Sequence, residues 1–199
     1  MLENQMMLLA VFERAALMLM TLFLLTRTRP FQRLFQKRDH TPAELVLVAA
    51  IFCLFAVFST YTGIPVEGAL INVRIIAIIS GGILFGPWVG IPAGVISGLH
   101  RYLIDMDGHT SIPCLIASII AGLLATWLHL RCRKSRLWLY GILAGMACEG
   151  LTMLLIWQLT EPHAVGVEIV SHIAYPMIAG ALCICLLYTS DAADEGLGV

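Results

Sequence analysis

The sequence predicts an all-α polytopic membrane protein, with six to seven transmembrane helices and a short glycine-rich helical hairpin among them. Three observations carry that expectation. Of the 199 residues, 59% are hydrophobic and only 13% charged, with a mean hydropathy of +0.89, whereas a soluble domain carries roughly 25% charged residues. Apolar runs recur at the length needed to cross hydrocarbon as a helix. The positive residues gather in two of the connections between those runs, as cytoplasmic loops require. A formal net charge of −1 with no clustered basic face excludes a nucleic-acid-binding surface.

The first run, 6–26, follows Glu3, where a secretory signal would need positive charge. No small-residue cleavage site follows it, so it reads as a retained helix. "RTRPFQRLFQKR" (27–38) then carries five positive residues and is placed in the cytoplasm. Run 44–62 leads to "TGIPVEGALIN" (62–72), which has no Lys or Arg and is placed outside. Runs 73–85 and 88–104 form two limbs turning at "FGPWVG", and the first limb is short for a full span. Run 112–130 ends at "RCRKSR" (131–136), with four positive residues, again cytoplasmic. Run 137–159 leads to "TEPHAVGVE" (160–168), without Lys or Arg, and run 167–187 closes the series. Parity requires the chain to go in and come back between 73 and 104. Two short crossings give seven segments; a hairpin that does not fully cross gives six. The location implied is the bacterial inner (plasma) membrane, multi-pass.

The candidate site lies on the hairpin. From Arg74 to Arg101 the 26 intervening residues contain no Asp, Glu, Lys or Arg, but six glycines and two prolines. Gly90, Gly94 and Gly98 recur every four residues, making a flat stripe that admits a neighbouring helix, and Arg101 projects from the same face. Arg74 shares a face with Ile78, Gly81 and Gly82. On run 137–159, Gly141, Gly145 and Glu149 are again four apart. A charge at the centre of a membrane helix costs roughly 2.5–3.5 kcal/mol on insertion scales. Arg74 and Arg101 either snorkel to the outer interface or converge there as a fork for a small carboxylate. Glu149 either pairs with one of them or is a neutral buried acid.

Other constellations are weak. The six cysteines (53, 114, 132, 148, 183 and 185) have no CxxC pair and read as small buried hydrophobes. "HRYLIDMDGHT" offers His100, Asp105, Asp107 and His109 without a recognised metal-ligand spacing, and Asp107-Gly108 is an ordinary turn signal. No phosphate-cradling loop, nucleophile elbow or HExxH is present, so no catalytic residue and no metal are assigned.

"NVRIIAIISGGILFGPWVGIPAGVISGLHRYL", followed by "IPC", resembles the membrane receptor domain of LytS-type sensor histidine kinases. The likeness extends over about residues 5–184 and includes "LLAVFERAALML", "VEGALINVRIIAI" and "IVSHIAYPMIAG". The resemblance implies a membrane fold similar to the substrate-binding subunits of energy-coupling-factor transporters. It implies a receptor for an external small carboxylate, pyruvate first, acting as a homodimer. It also implies GAF and kinase domains that use ATP and Mg to phosphorylate a LytTR-type response regulator. In the pyruvate-sensing members two arginines, a cysteine and a nearby hydroxyl are linked to the ligand. Arg74 and Arg101 match by motif and Cys114 through "IPC". Ala117 stands three residues after Cys114, and Ser118 is the next hydroxyl candidate.

The chain has no phosphoacceptor histidine motif and no ATP-binding segment. "CLLYTSDAADE" (185–195) closes the last run with an acidic, small-residue tail resembling a translated adapter sequence. The expected division is therefore a receptor domain over 1–184 and a non-native tail over 185–199, in a fragment of a longer gene. The alternative function is a membrane substrate-binding subunit of a small-molecule transporter, to which the same glycine packing is suited.

Overall fold

A computed structural model describes residues 40–174, apart from 67–68, 72–73 and 133–136, together with isolated positions between 6 and 28 and at 177–178. The basic segment 27–38 and the tail 185–199 lie outside the described residues, except for Thr28, as do most of runs 6–26 and 175–187.

Helix α1 spans Pro42–Tyr61. Its start is written in "TPAE": Thr41 Oγ1 accepts from the Glu44 amide at 3.4 Å, and Glu44 Oε2 accepts from the Thr41 amide at 2.7 Å. This reciprocal box satisfies two end groups of the helix, and Pro42 at its first position has no amide hydrogen to waste. The connection that follows departs from an all-helical fold. Strand β1 (Ile64–Val66) pairs antiparallel with β2 (Ala69–Ile71), in the register Ile64 to Ile71 and Val66 to Ala69. The β-branched Ile64, Val66 and Ile71 favour extended backbone, a signal too short to register beside the long apolar runs.

Helix α2 (Arg74–Phe85) and helix α3 (Pro87–Ile104) are the two limbs of the expected hairpin. They break at Gly86, whose φ of 78° and ψ of −155° belong to a region essentially reserved for glycine. A side chain there would also meet the His129 ring at 2.9 Å. Pro87 then opens α3. Helix α4 spans Ser111–Arg131, α5 spans Leu137–Leu159, and α6 runs over 163–174.

The limbs are held inside the bundle. The most extensive contact is between α3 and α4; α1 covers the hairpin on one side, and α2 reaches both α4 and α5. Phe52 and Val48 of α1, Ile78 and Ile79 of α2, Val89 and Ala93 of α3, Ala121 and Ala125 of α4, and Cys148 of α5 share one core. A second, smaller core joins Met153 and Ile156 of α5 to Ile169 and Ile173 of α6.

Among the described residues, three helices are long and apolar enough to cross a membrane, within Pro42–Tyr61, Ser111–Arg131 and Leu139–Leu159. At about 1.5 Å per residue, the 12 residues of α2 reach roughly 18 Å, short of a bilayer core. A count of six to seven would need further spans from α2, α3 and the largely undescribed runs at either end.

Candidate functional site

The site is set by how closely α3 approaches its neighbours. A methyl group added at Gly90 would lie 2.7 Å from Gly82 Cα, one at Gly94 would lie 2.6 Å from the Ser118 carbonyl oxygen, and one at Gly122 would lie 2.5 Å from the Gly90 carbonyl oxygen. Backbone therefore meets backbone along α2, α3 and α4, as the four-residue glycine spacing predicts. On α5 the pattern serves differently. Among the described residues, a methyl at Gly141 would touch only Ile83 and one at Gly145 would have nothing within 4 Å, so these glycines do not form a packed seam with the described helices.

The tight seam pulls both arginines into protein. Arg74 is 2% exposed and Arg101 0%, so neither side chain snorkels into lipid. Arg101 is taken up locally. Its Nη1 and Nη2 both donate to Asp105 Oδ2 at 3.2 Å, and Nη2 also donates to Thr110 Oγ1 at 3.1 Å. Ser111 Oγ donates to the Asp105 carbonyl, and Thr160 Oγ1 donates to the His109 carbonyl at 3.1 Å. These bonds fasten the 105–111 turn to Arg101 and to the end of α5. Asp105 is thus committed to an arginine, while His100 faces Tyr61 with ring centroids 5.2 Å apart.

Arg74, in the first turn of α2, donates from Nη2 to the Cys114 carbonyl at 3.4 Å. Its electrostatic neighbours are Cys114, Arg101 and Glu149. Ser118 Oγ donates to the same Cys114 carbonyl at 2.6 Å. Glu149, 4% exposed, comes in from α5, and its Oε2 has no hydrogen-bond partner among the described residues.

Arg74, Cys114 and Glu149 line one cavity, with Thr110, Thr152, Leu70 and an apolar wall from Met153, Ile156, Ile173 and Met177. About 20 Å³ of it is open to the centre of a water molecule; the empty space around it, open solvent included, is about 370 Å³, and the cavity opens in part to the protein surface. A cavity holds one water from roughly 10–15 Å³ on the first measure. The site thus has room for water as it stands. It lies toward the Ser111 end of α4, away from Arg131.

Of the residues singled out from sequence, the fold brings Arg74, Cys114 and Glu149 to the cavity wall. Arg101 stands behind Thr110, and Ser118 does not line the space. Sequence reasoning missed Thr110 and Thr152. The second had a signal, since it follows Glu149 by three positions on one helix. The hydroxyls differ in what they can offer: Thr152 Oγ1 donates its proton to the Cys148 carbonyl at 2.8 Å, whereas Thr110 accepts from Arg101 and keeps its own proton to give. One guanidinium, one carboxyl, one hydroxyl donor and an apolar wall can hold a small anion bearing a short apolar group. Among the described residues, the lining sets no histidine beside Cys114.

The family described as the 5TMR of 5TMR-LYT matches residues 28–194. The chain is 59% identical over 190 residues to the sensor histidine kinase YpdA of Escherichia coli K12, a match covering 96% of this chain and 34% of that one. It is 31% identical over 176 residues to the sensor histidine kinase BtsS of the same organism, covering 85% of this chain and 31% of that one. It is 30% identical over 188 residues to the sensor protein LytS of Bacillus subtilis, covering 84% and 31%. The matches thus span about a third of the length of these relatives. No solved structure matches the chain.

Proposed function

This chain belongs to the 5TMR-LYT family of membrane domains, and on that premise we propose that it is the input domain of a sensor histidine kinase, binding a small carboxylate, pyruvate first, from outside the inner membrane. The observation that carries the reading is a fully buried Arg74 on the wall of a cavity open to the exterior. A guanidinium desolvated at a cavity wall gains most from a ligand that returns a carboxylate to it. Charge-assisted bonds of that kind contribute about 1.5–3 kcal/mol each. Thr110 supports the α-oxo oxygen of such a ligand with its remaining proton, and the Met153, Ile156 and Ile173 wall suits a methyl group. Arg101 acts from behind by fixing Thr110.

In this reading the basic segments face the cytoplasm, and the fold is that of energy-coupling-factor substrate-binding subunits. The whole protein works as a homodimer whose kinase part uses ATP with Mg to phosphorylate a LytTR-type response regulator. The test is pyruvate binding to wild type and to Arg74→Lys. Lysine keeps the charge but loses the planar fork, so affinity should fall at least about tenfold, equivalent to ~1.4 kcal/mol. Unchanged affinity in the variant would move the site away from this cavity.

A further inference from the structure

The carboxylate reading leaves Glu149 unexplained, because an acid in an anion site repels the ligand. Its place is nonetheless built in: it is 4% exposed, lines the same cavity as Arg74, and its Oε2 has no hydrogen-bond partner among the described residues. We propose that Glu149 is the proton acceptor of the site, so that each carboxylate bound at Arg74 brings one proton from solution onto the Glu149 carboxylate.

The charges that face the cavity are few. Helix α2 supplies Arg74, α4 supplies the Cys114 thiol, and α5 supplies Glu149 with the Cys148 thiol beside it. The part of α6 on the wall is apolar, through Ile173, and Met177 beyond it is apolar too. Behind Thr110, Arg101 is already balanced by Asp105. With Glu149 ionised, the described residues therefore give the empty cavity one positive and one negative group, which balance. A monocarboxylate would leave it with a buried net negative charge, which a low-dielectric site strongly disfavours. Protonation of Glu149 restores neutrality. It also turns Oε2 from a second repelling oxygen into part of a carboxyl that can donate to the ligand. No bond to carbon changes; one proton moves from water to Glu149 as one anion moves from water to Arg74. The sensor then responds to the anion and to external acidity together, as it would when both are released by the same cells.

This inference rests on the carboxylate reading, and one experiment separates the two. Pyruvate binding to the full chain in lipid nanodiscs is followed by calorimetry in two buffers of different ionisation enthalpy, for wild type and Glu149→Gln. Pyruvate itself stays ionised throughout. The expected result is uptake of about one proton per pyruvate in wild type, with affinity weakening about tenfold per pH unit wherever the empty-site Glu149 is ionised. Glu149→Gln should bind with no proton uptake and an affinity flat from about pH 6 to about pH 8. Wild-type binding without proton uptake, which needs no variant to be folded, overturns the proposal alone, as does uptake that persists in Glu149→Gln. Absence of pyruvate binding to both proteins at every pH overturns the carboxylate reading and the proton coupling with it.

Discussion

Gly122→Ala tests whether the site depends on backbone contact between α3 and α4. The new methyl would lie 2.5 Å from the Gly90 carbonyl oxygen, 3.3 Å from its carbon and 3.5 Å from Gly94 Cα. Ordinary non-bonded separations are roughly 3.5–4.0 Å, so the two helices must part by about 1 Å along the most extensive interface in the bundle. All three contacted atoms are backbone and cannot rotate away. Overpacking of this kind costs about 1–3 kcal/mol. Alanine returns up to about 1 kcal/mol in helix propensity, so the net loss is about 0–2 kcal/mol when that return is full. Gly145→Ala is the control: nothing lies within 4 Å of its methyl, so only the propensity gain remains. Thermal unfolding in nanodiscs should separate the two variants by several degrees, at about 2–4 °C per kcal/mol. If they melt together, the glycine stripe is not what holds the hairpin, and the account of how Arg74 is kept buried fails with it.

Further outcomes follow from the same geometry. Asp105→Asn removes the partner of a fully buried Arg101 from a pair whose acid is 35% exposed, and should destabilise by about 1–3 kcal/mol; the exposed Asp107→Asn should stay within about 0.5 kcal/mol in the same melting assay. Thr110→Val keeps the shape but deletes both an acceptor for Arg101 and a donor to the cavity, so titration should show pyruvate affinity down several-fold with Arg74 unchanged. Reporter fusions after Arg136 should read cytoplasmic and one near Gly68 external; an external signal at Arg136 contradicts the orientation taken from the basic loops.

Much of the scaffold was legible because its signals are local and redundant. The Gly86-Pro87 break and the four-residue glycine spacing each specify a helix end or a helix contact without reference to the rest of the chain. The small β1–β2 hairpin was not, since three-residue strands give no periodicity to read. The site was legible only as an inventory. Sequence spacing put Arg74 and Arg101 on glycine faces, and those faces are indeed buried. It could not say that Asp105, four residues beyond Arg101 and just past the end of α3, would claim that arginine, or that Thr110 would stand between it and the cavity. The same spacing argument treated Gly141 and Gly145 like Gly90 and Gly94, yet periodicity is blind to whether a partner helix lies opposite. Thr152 could have been found as the hydroxyl one turn from Glu149; Thr110 lies in a turn, where no period applies.

The difference between the two arginines predicts two different failures. Arg101 is balanced within its own helix end, by Asp105 and Thr110, so its charge is largely spent on structure. Arg74 finds its opposing charge on another element, Glu149 of α5, across a cavity that a ligand can enter. Whatever occupies that cavity acts on the relation between α2 and α5, and α5 is the helix whose C-terminal half shares a core with α6. A lysine at 101 keeps a positive charge beside Asp105 but loses the paired nitrogens that also reach Thr110. Arg101→Lys should therefore lower the melting temperature by more than Arg74→Lys does, while Arg74→Lys should lower pyruvate affinity by more than Arg101→Lys does. Melting and titration of the two variants side by side decide it. Equal losses in both assays would mean that the arginines act as one fork, and that the Asp105 clamp opens when the ligand arrives.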